Sequence, residues 1–243
     1  MRSILVLFTL LLFFIITLPA FLVLKLVGVF NPNACAAASQ KVINVGFKLV
    51  LVTAGVKMTV KGVENIPKDR ACLFTSNHRS YLDVPLGYTT VPGLTGFIAK
   101  KEIKKVPFLS WWMTNLNCLF IDRENLRQSL QVILKAIDKV NNGISIFIMP
   151  EGTRNHNDDL LPFKEGSFKI AEKSGCPVVP VAISNTDAVY ELHRPWVRKA
   201  KVVIHYGQPI YTENMSKEDK KALVQKVMDD IRRMMDEDRE LTK

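Results

Sequence analysis

An uncharged apolar segment near the amino terminus constrains this chain more than any other feature. Residues 4–24, ILVLFTLLLFFIITLPAFLVL, carry no charge, and their only polar side chains are two threonines. A helix of about 20 such residues can cross the hydrocarbon layer of a membrane. A cleaved signal peptide usually has a shorter apolar region, of about 7–15 residues. The segment therefore favours a retained membrane helix over a signal peptide, and the lack of a polar face argues against a buried core helix.

A second apolar segment, ASQKVINVGFKLVLVTAGV, follows a break that contains GVFNPN. Its polar residues Lys41, Asn44 and Lys48 recur three and four positions apart, so they share one face of a predicted helix. That helix belongs either to the membrane interface or to the core of the following domain. We therefore predict a membrane-anchoring two-helix segment over residues 1–56 and an α/β domain over residues 57–243.

The charge of the chain favours a partner that is anionic. The formal net charge is +10, and only Arg2 precedes the first apolar segment. Because basic residues concentrate on the cytoplasmic side of membrane segments, the predicted location is the cytoplasmic membrane, with the main body facing the cytoplasm. Basic residues also attract anionic lipid, at about 1 kcal/mol each near the surface. No nucleic-acid-binding motif occurs in the sequence, so membrane lipid is the simpler predicted partner.

The cysteines argue against metal or disulfide chemistry. All four, Cys35, Cys72, Cys118 and Cys176, are widely separated, and the sequence contains no CxxC. Paired cysteines at short spacing are the usual signature of zinc and redox sites. We therefore predict no metal site, and free cysteines are typical of a reducing compartment.

From residue 57 onward, strand and helix patterns alternate. The run ISIFIMP is apolar except for Ser145, as expected of a strand covered on both faces of a sheet. The segment ENLRQSLQVILKAIDKVNN shows helical periodicity. Its predicted apolar stripe consists of Leu126, Leu130, Ile133, Ile137 and Val140. Such alternation predicts a mixed, mostly parallel sheet flanked by helices.

The segment TSNHRSYLD follows one predicted strand and contains His78 and Asp83. The two side chains can meet if His78 lies in the turn after the strand and Asp83 lies in the first turn of the next helix. The carboxylate would then hold one imidazole nitrogen and leave the other free as a general base. Taken alone this spacing is a weak signal, and a histidine with a purely structural role would show it as well.

A second polar cluster, MPEGTRN, follows the most apolar predicted strand. Gly152 allows a tight turn, and Glu151 and Arg154 project from the same loop. A guanidinium binds phosphate through paired hydrogen bonds, so Arg154 is a candidate phosphate ligand. The alternative is a surface ion pair between Glu151 and Arg154, which contributes roughly 0–1 kcal/mol.

Two further strand ends carry basic residues. Arg123 follows the strand LFI and is either a phosphate ligand or the partner of Asp122. Lys100 and Lys101 follow the strand FIA and either bind phosphate or remain solvated. Residue types alone do not decide between these alternatives.

Together these segments resemble the motifs of the glycerolipid acyltransferases. NHRSYLD is similar to that family's N-H-x4-D motif, and LFIDR, MPEGTRN and VVPVAI resemble its other three motifs, in the family's order, over residues 72–183. The departures are Met149, where the family usually has phenylalanine, and Asn155, where it usually has serine. Neither departure removes a charge or a proton-transfer group.

The resemblance implies transfer of a fatty acyl group from a thioester of coenzyme A or acyl carrier protein to the hydroxyl of a lysophospholipid. Lysophosphatidate is the expected acceptor and phosphatidate the expected product, with no bound cofactor. By the same resemblance His78 is the general base and Asp83 orients it. The implied substrate-binding residues are Asn77, Lys100, Arg123, Glu151, Gly152, Thr153 and Arg154.

Three alternatives remain open at the level of sequence. The acceptor is another lysolipid or glycerol 3-phosphate, the protein is a membrane-anchored esterase, or it binds lipid without catalysis. An esterase is disfavoured because the sequence contains no G-x-S-x-G nucleophile motif.

Overall fold

The computed structural model describes residues 1–157 and 159–243. Helices and strands alternate after an amino-terminal pair of helices, as the sequence predicts. In chain order the elements are α1 (Arg2–Phe30), α2 (Pro32–Ala54), β1 (Val56–Lys61), β2 (Leu73–Ser76), α3 (Asp83–Thr90), β3 (Thr95–Lys100), α4 (Leu109–Asn115), β4 (Leu119–Ile121), α5 (Leu126–Asn141), β5 (Ser145–Ile148), α6 (Lys169–Ser174), β6 (Val178–Ser184), β7 (Ala200–Tyr206) and α7 (Lys217–Glu237).

The strands form one seven-stranded sheet in the order β1-β7-β6-β2-β5-β3-β4. Neighbouring strands are parallel except for β6 and β7, which are antiparallel. The predicted mixed, mostly parallel sheet is therefore confirmed. The central strands β2 and β5 are buried along their whole length, which fits the adjacent apolar residues that each contains, Leu73–Phe74 and Ile146–Ile148.

The strand directions bring several loops to one edge of the sheet. The strands β2 to β6 all end at this edge, which we call the carboxyl edge. Because β7 runs opposite to β6, and β1 is parallel to β7, the strands β7 and β1 begin at the same edge. Loops from both halves of the sheet therefore meet there, as ligand-binding loops do in other α/β folds.

Helices cover both faces of the sheet. One apolar layer contains Ile43 from α2, Leu86 from α3 and Trp112 from α4, packed against sheet residues such as Phe147. The opposite layer joins α5, α6 and α7 to the sheet through residues that include Ile133, Ile170 and Leu223.

The helices α1 and α2 form an antiparallel pair. The ring of Phe13 lies 2.6 Å from the position that a Cβ atom on Gly46 would occupy, so this glycine permits the close packing. Within the described residues, α1 and α2 are the two helices long and apolar enough to cross a membrane. Most apolar side chains of α1 are exposed, whereas α2 buries Ile43 and Leu51 in the core. Of the two interpretations of α2, the core helix is therefore the one that this packing supports.

The predicted apolar stripe of α5 is wrong at its start. Leu126 and Leu130 are 86% and 58% exposed, whereas Ile133 and Val140 are buried. The reason is Gln128, whose side chain donates to the carbonyl of Phe120 and accepts from the backbone N–H of Asp122. These hydrogen bonds turn a polar residue toward the sheet in the first turn of the helix, and the leucines face outward.

Candidate active site

Asn77 fixes the turn that follows the central strand β2. Its side-chain amide donates to the carbonyl of Ile183 and accepts from the N–H of the same residue, both at 2.8 Å. These bonds extend the pairing of β2 with β6 by one residue beyond the strand. Both polar groups of this buried side chain are occupied by β6, so the contacts of Asn77 indicate a positioning residue rather than a substrate ligand.

His78 and Asp83 come together as their spacing predicts. The Nδ1 atom of His78 lies 2.7 Å from Oδ2 of Asp83, which is fully buried at the first residue of α3. A carboxylate accepts hydrogen bonds, so Nδ1 is the donor of this pair, and the neutral tautomer that makes the bond has its lone pair on Nε2. The His78 side chain is 19% exposed, and its Nε2 atom bonds to none of the residues that the structure describes. In that tautomer the pair presents Nε2 as a proton acceptor at the carboxyl edge.

Three further donors immobilise the Asp83 carboxylate. Its Oδ2 atom accepts from the backbone N–H groups of Arg79 and Ser80, each at 2.8 Å. Its Oδ1 atom accepts from the hydroxyl of Thr186 at 2.6 Å. Because these donors come from two separate loops, the carboxylate cannot rotate without breaking several bonds. The orientation of the imidazole is fixed as a consequence.

Glu151 joins the two motif loops from a buried position. Its Oε1 atom accepts from the backbone N–H of His78 at 2.8 Å. Its Oε2 atom accepts from the N–H of Leu161 at 3.0 Å and from the side chain of Asn155 at 3.2 Å. Burial raises the pKa of this carboxyl above its ordinary value. Both oxygens are occupied by protein donors, so the contacts of Glu151 indicate a positioning role rather than direct substrate binding.

The raised pKa of Glu151 predicts a pH-dependent stability. The folded chain holds a proton here more tightly than the unfolded chain, whose value is near 4.5. The contribution of the group is therefore most favourable below that pH and is lost as the pH rises through the folded-state pKa. Glu151→Gln cannot ionise, so the Tm of the wild type minus that of the variant should decrease between about pH 4 and pH 7. Thermal melts across this range test the prediction, with the exposed Glu165→Gln as control. A difference that increases with pH would contradict it.

Arg154 contacts Tyr81 and Glu191 and does not pair with Glu151. Its guanidinium stacks on the ring of Tyr81, 3.8 Å from the centroid, and one nitrogen lies 3.4 Å from Glu191. The alternative of a Glu151–Arg154 ion pair is therefore wrong. Glu191 also accepts from the hydroxyl of Ser80 and the N–H of Tyr81 at shorter distances, 2.6 and 2.9 Å. The stacking holds the guanidinium in place and leaves most of its N–H groups available to an anion.

Gly152 turns the same loop through a backbone conformation that favours glycine, with φ at +77°. A Cβ atom at this position would approach the Cε and Nζ atoms of Lys164 to 3.0 Å. The ammonium of Lys164 therefore lies against the turn, and it forms no ion pair within the described part of the chain. Sequence analysis did not single out Lys164. The neighbouring Thr153 is exposed.

The comparisons with known proteins agree with this geometry. A family model described as Acyltransferase matches residues 57–184, which include the loops of His78 and Arg154. The chain belongs to this acyltransferase family. The crystal structure of the 1-acyl-sn-glycerophosphate acyltransferase from Thermotoga maritima superimposes with a TM-score of 0.77 at 30% identity, covering 98% of this chain and 97% of that one.

Two curated relatives show the extent of the sequence similarity. The 1-acyl-sn-glycerol-3-phosphate acyltransferase of Borreliella burgdorferi is 32% identical over 76% of this chain and 74% of its own length. The yeast protein of the same name, from Saccharomyces cerevisiae, is also 32% identical over 76% of this chain, but the match covers 62% of that protein. The chain thus spans less than two thirds of the yeast relative.

The other predicted basic residues of this acyltransferase-family chain lie farther along the carboxyl edge. Lys100 ends β3 and lies 3.5 Å from Glu102. Lys101 pairs with Asp122 at 2.6 Å, and Arg123 forms no ion pair in residues 1–157 and 159–243. The alternative in which Arg123 is the partner of Asp122 is therefore wrong. Desolvation by the surrounding protein lowers the pKa of the Arg123 guanidinium, and the charge of Glu102 opposes this shift in part.

The segment after β6 supplies contacts that sequence analysis missed. Thr186 bonds to Asp83, as described above, and Asp187 receives two bonds from the guanidinium of Arg79, at 2.9 and 3.2 Å. The carboxylate of Glu191 accepts a hydrogen bond from the hydroxyl of Ser80. The polar run SNTD after an apolar strand was the one local sign that this segment has a role at the site. The sequence does not show that β6 lies next to β2, and this neighbourhood is what brings the segment to Asp83.

The cysteines of this family member are buried and free. Burial raises the pKa of the Cys72 thiol to about 12, so it stays protonated and unreactive at neutral pH. Within the described ranges, no cluster of three or more histidine, cysteine, aspartate or glutamate side chains has the geometry to hold a metal ion.

Proposed function

We propose that this protein transfers a fatty acyl group from an acyl thioester to the sn-2 hydroxyl of 1-acyl-sn-glycerol 3-phosphate, forming phosphatidate. The observation that carries the proposal is the Nε2 atom of His78, which is oriented by Asp83 and lies in the same motif loop as Tyr81, the residue on which the guanidinium of Arg154 stacks. A base next to a phosphate ligand suits an acceptor whose hydroxyl and phosphate are a few bonds apart. The names of the relatives and of the superimposed structure support the same acceptor.

In the proposed reaction, Nε2 of His78 takes the proton of the acceptor hydroxyl while its oxygen attacks the thioester carbonyl. The new C–O bond forms, the C–S bond breaks, and the thiolate takes back the proton from the imidazolium. The Asp83 carboxylate stabilises the imidazolium between these two steps. No covalent acyl-enzyme is needed. The nearby Ser80 hydroxyl donates to Glu191, away from His78, and this contact argues against an esterase that uses it as nucleophile.

The proposed phosphate site consists of Arg154 and Lys164, which flank the turn at Gly152. Arg154 supplies a fork of donors and Lys164 a point charge, and both types of group bind phosphate in other proteins. Lys100 and Arg123 end the neighbouring strands β3 and β4, about 5 and 10 Å beyond β5 at the usual strand spacing. We infer that they add to the attraction of the anionic acceptor rather than contact its phosphate.

We further propose that α1 places the site at a lipid surface. Its exposed apolar side chains include Leu7, Phe8, Ile15 and Leu26, which are all more than half exposed. Transfer of such surface to hydrocarbon is favourable, at roughly 25 cal/mol per Å². An acceptor could then reach His78 while its acyl tail stays in the membrane. The predicted location is the cytoplasmic membrane, with the α/β domain on the cytoplasmic side.

The experiment that tests the function follows the fate of a labelled acceptor. The purified chain in detergent or lipid is given labelled lysophosphatidate with acyl-coenzyme A, and separately with acyl-acyl carrier protein, and the lipid products are separated. Phosphatidate is the expected product. Release of free fatty acid from the acceptor would instead indicate an esterase, and no product with either donor would reject the proposed acceptor.

Replacing Arg154 by alanine should weaken acceptor binding more than it slows chemistry. Loss of charge-assisted hydrogen bonds to phosphate is expected to raise the KM for lysophosphatidate by about 10–100-fold with a smaller change in kcat. Arg154→Lys should recover part of the loss, because it restores the charge without the fork. Arg233→Ala on α7, where the exposed guanidinium pairs with Asp230, is the control. An unaltered dependence on lysophosphatidate concentration in Arg154→Ala would refute the phosphate role.

A further inference from the structure

A second basic site lies on the carboxyl edge, away from His78 and Arg154. It is a pocket of about 420 Å³ between the starts of β1 and β7 and the segment after β6. This volume is within the range of small-molecule sites, about 300–1,000 Å³. Its lining includes the cations Lys57, Arg198, Lys199, Lys201 and Lys243 together with His193, and the described lining includes no acidic side chain. Apart from Lys243, which pairs with Glu240, these cations form no ion pair with any described residue.

The positions of Lys57 and Lys201 bring two like charges together, which does not stabilise the fold. The two are direct partners in the parallel ladder of β1 and β7, so their side chains lie on the same face of the sheet. Like charges directly across a ladder are destabilising. The guanidinium of Arg2 adds to the local charge, because it lies against Gly55 immediately before β1.

The same two strands contain a matched pair that the fold does neutralise. Four residues further along, Lys61 is the ladder partner of His205. Both contact the buried carboxylate of Asp238, at 2.8 and 3.2 Å. The basic pair at Asp238 is therefore compensated within the fold, whereas Lys57 and Lys201 line the pocket and have no acidic partner among the described residues.

The distance from His78 indicates which anion the pocket would take. His78 follows β2, and β7 and β1 lie two and three strands away in the sheet order. At the usual spacing this is about 10–14 Å. The phosphate of lysophosphatidate is only a glycerol carbon away from the reacting hydroxyl, so it cannot occupy this pocket while the hydroxyl contacts His78. The phosphates of coenzyme A are separated from the thioester by the long pantetheine arm, and they can.

We propose that this pocket binds the phosphorylated nucleotide of coenzyme A and so places the acyl thioester at His78. The inference rests on the proposed acyl transfer and adds the site of the donor. A concave cavity suits a compact polyanion that carries a pyrophosphate and a ribose phosphate. A carrier protein has a convex acidic surface, and a membrane has a flat headgroup layer. Both would make poorer contact with the residues that line the pocket.

The test is the double variant Lys57→Gln, Lys201→Gln, which removes the charge pair and keeps side chains of similar length. Its steady-state kinetics are measured with acyl-coenzyme A and with the same acyl group on pantetheine, which lacks the nucleotide. We expect the KM for acyl-coenzyme A to rise about tenfold or more, because charge-assisted bonds to phosphate are lost. The KM for acyl-pantetheine and the KM for lysophosphatidate should not change. The control Lys217→Gln, Lys221→Gln removes two exposed charges from α7 and should behave as wild type.

A nucleotide titration and a vesicle-binding assay show whether the pocket binds a nucleotide or anionic lipid. The titration also tests the pocket independently of the proposed acyl transfer. Calorimetric titration with adenosine 3′,5′-bisphosphate should show binding to the wild type and at least tenfold weaker binding to the Lys57→Gln, Lys201→Gln variant. This titration does not depend on turnover, so it tests the pocket even if phosphatidate is not the product. An unchanged KM for acyl-coenzyme A, or absence of nucleotide binding by the wild type, would overturn the proposal. So would a variant that loses only its binding to phosphatidylglycerol vesicles, since the pocket would then serve anionic lipid.

Discussion

Replacing His78 by alanine is expected to abolish measurable acyl transfer while the chain stays folded. The substitution removes the proposed base, and general-base catalysis contributes about 10²–10⁴-fold. It also removes one hydrogen bond to the Asp83 carboxylate. That carboxylate still accepts hydrogen bonds from the N–H groups of Arg79 and Ser80 and from the hydroxyl of Thr186. Transfer of labelled acyl groups to lysophosphatidate measures the activity, and a thermal melt measures folding.

The chain offers a matched control for this variant. His205 also bonds to a fully buried aspartate, Asp238, but it lies toward the end of β7, at the edge of the sheet opposite His78. His205→Ala should lower the Tm, because it removes one of the two basic partners of a buried carboxylate and leaves only Lys61, and it should retain transfer activity. Equal rates for the wild type and His78→Ala would reject His78 as the base. Equal loss in both histidine variants would indicate a general effect on folding.

Replacing Asp83 by asparagine is expected to reduce kcat by about 10²-fold or more, through the loss of imidazolium stabilisation. Asparagine is the informative substitution because its oxygen can still accept from His78 and the two backbone N–H groups, while its amide nitrogen can donate to Thr186. The geometry is thereby kept and the charge is lost. Bonds to a charged acceptor contribute about 1.5–3 kcal/mol and neutral bonds about 1 kcal/mol, so a loss of stability of about 1–3 kcal/mol is also expected.

Asp238→Asn is the corresponding control. It neutralises a carboxylate of the same burial that also holds a histidine, so its free energy of unfolding should fall by a similar amount. Its transfer rate, measured per folded molecule, should equal that of the wild type. If Asp83→Asn kept the wild-type kcat, the charge of Asp83 would not stabilise an imidazolium in the reaction, and the proposed role of the His78–Asp83 pair would be wrong.

Much of the fold was predictable because its signals are local. Residues close in the chain account for the uncharged segment of α1 and the apolar residues of strand β5. They also account for the cap of α7, where Ser216 accepts from the N–H of Asp219. The outward-facing Leu126 and Leu130 were not predictable in this way. Their exposure depends on hydrogen bonds from Gln128 to the end of β4, and periodicity does not record such bonds.

The sequence by itself determined the chemistry of the candidate base and the resemblance to a family. His78 and Asp83 are five residues apart, and one strand-to-helix turn is enough to join them. The contacts of Glu151 and Asn77 became apparent only in the tertiary structure, because their partners lie in other segments of the chain.

The basic pocket could be recognised only from the tertiary structure. Lys57 and Lys201 are unremarkable in sequence, and they become neighbours only because β7 reverses direction next to β6 and brings β1 to the same edge. Short-range spacing specifies which side chains a turn presents. The order and direction of the strands specify which turns meet, and that order is set by the burial of both sheet faces over the whole chain.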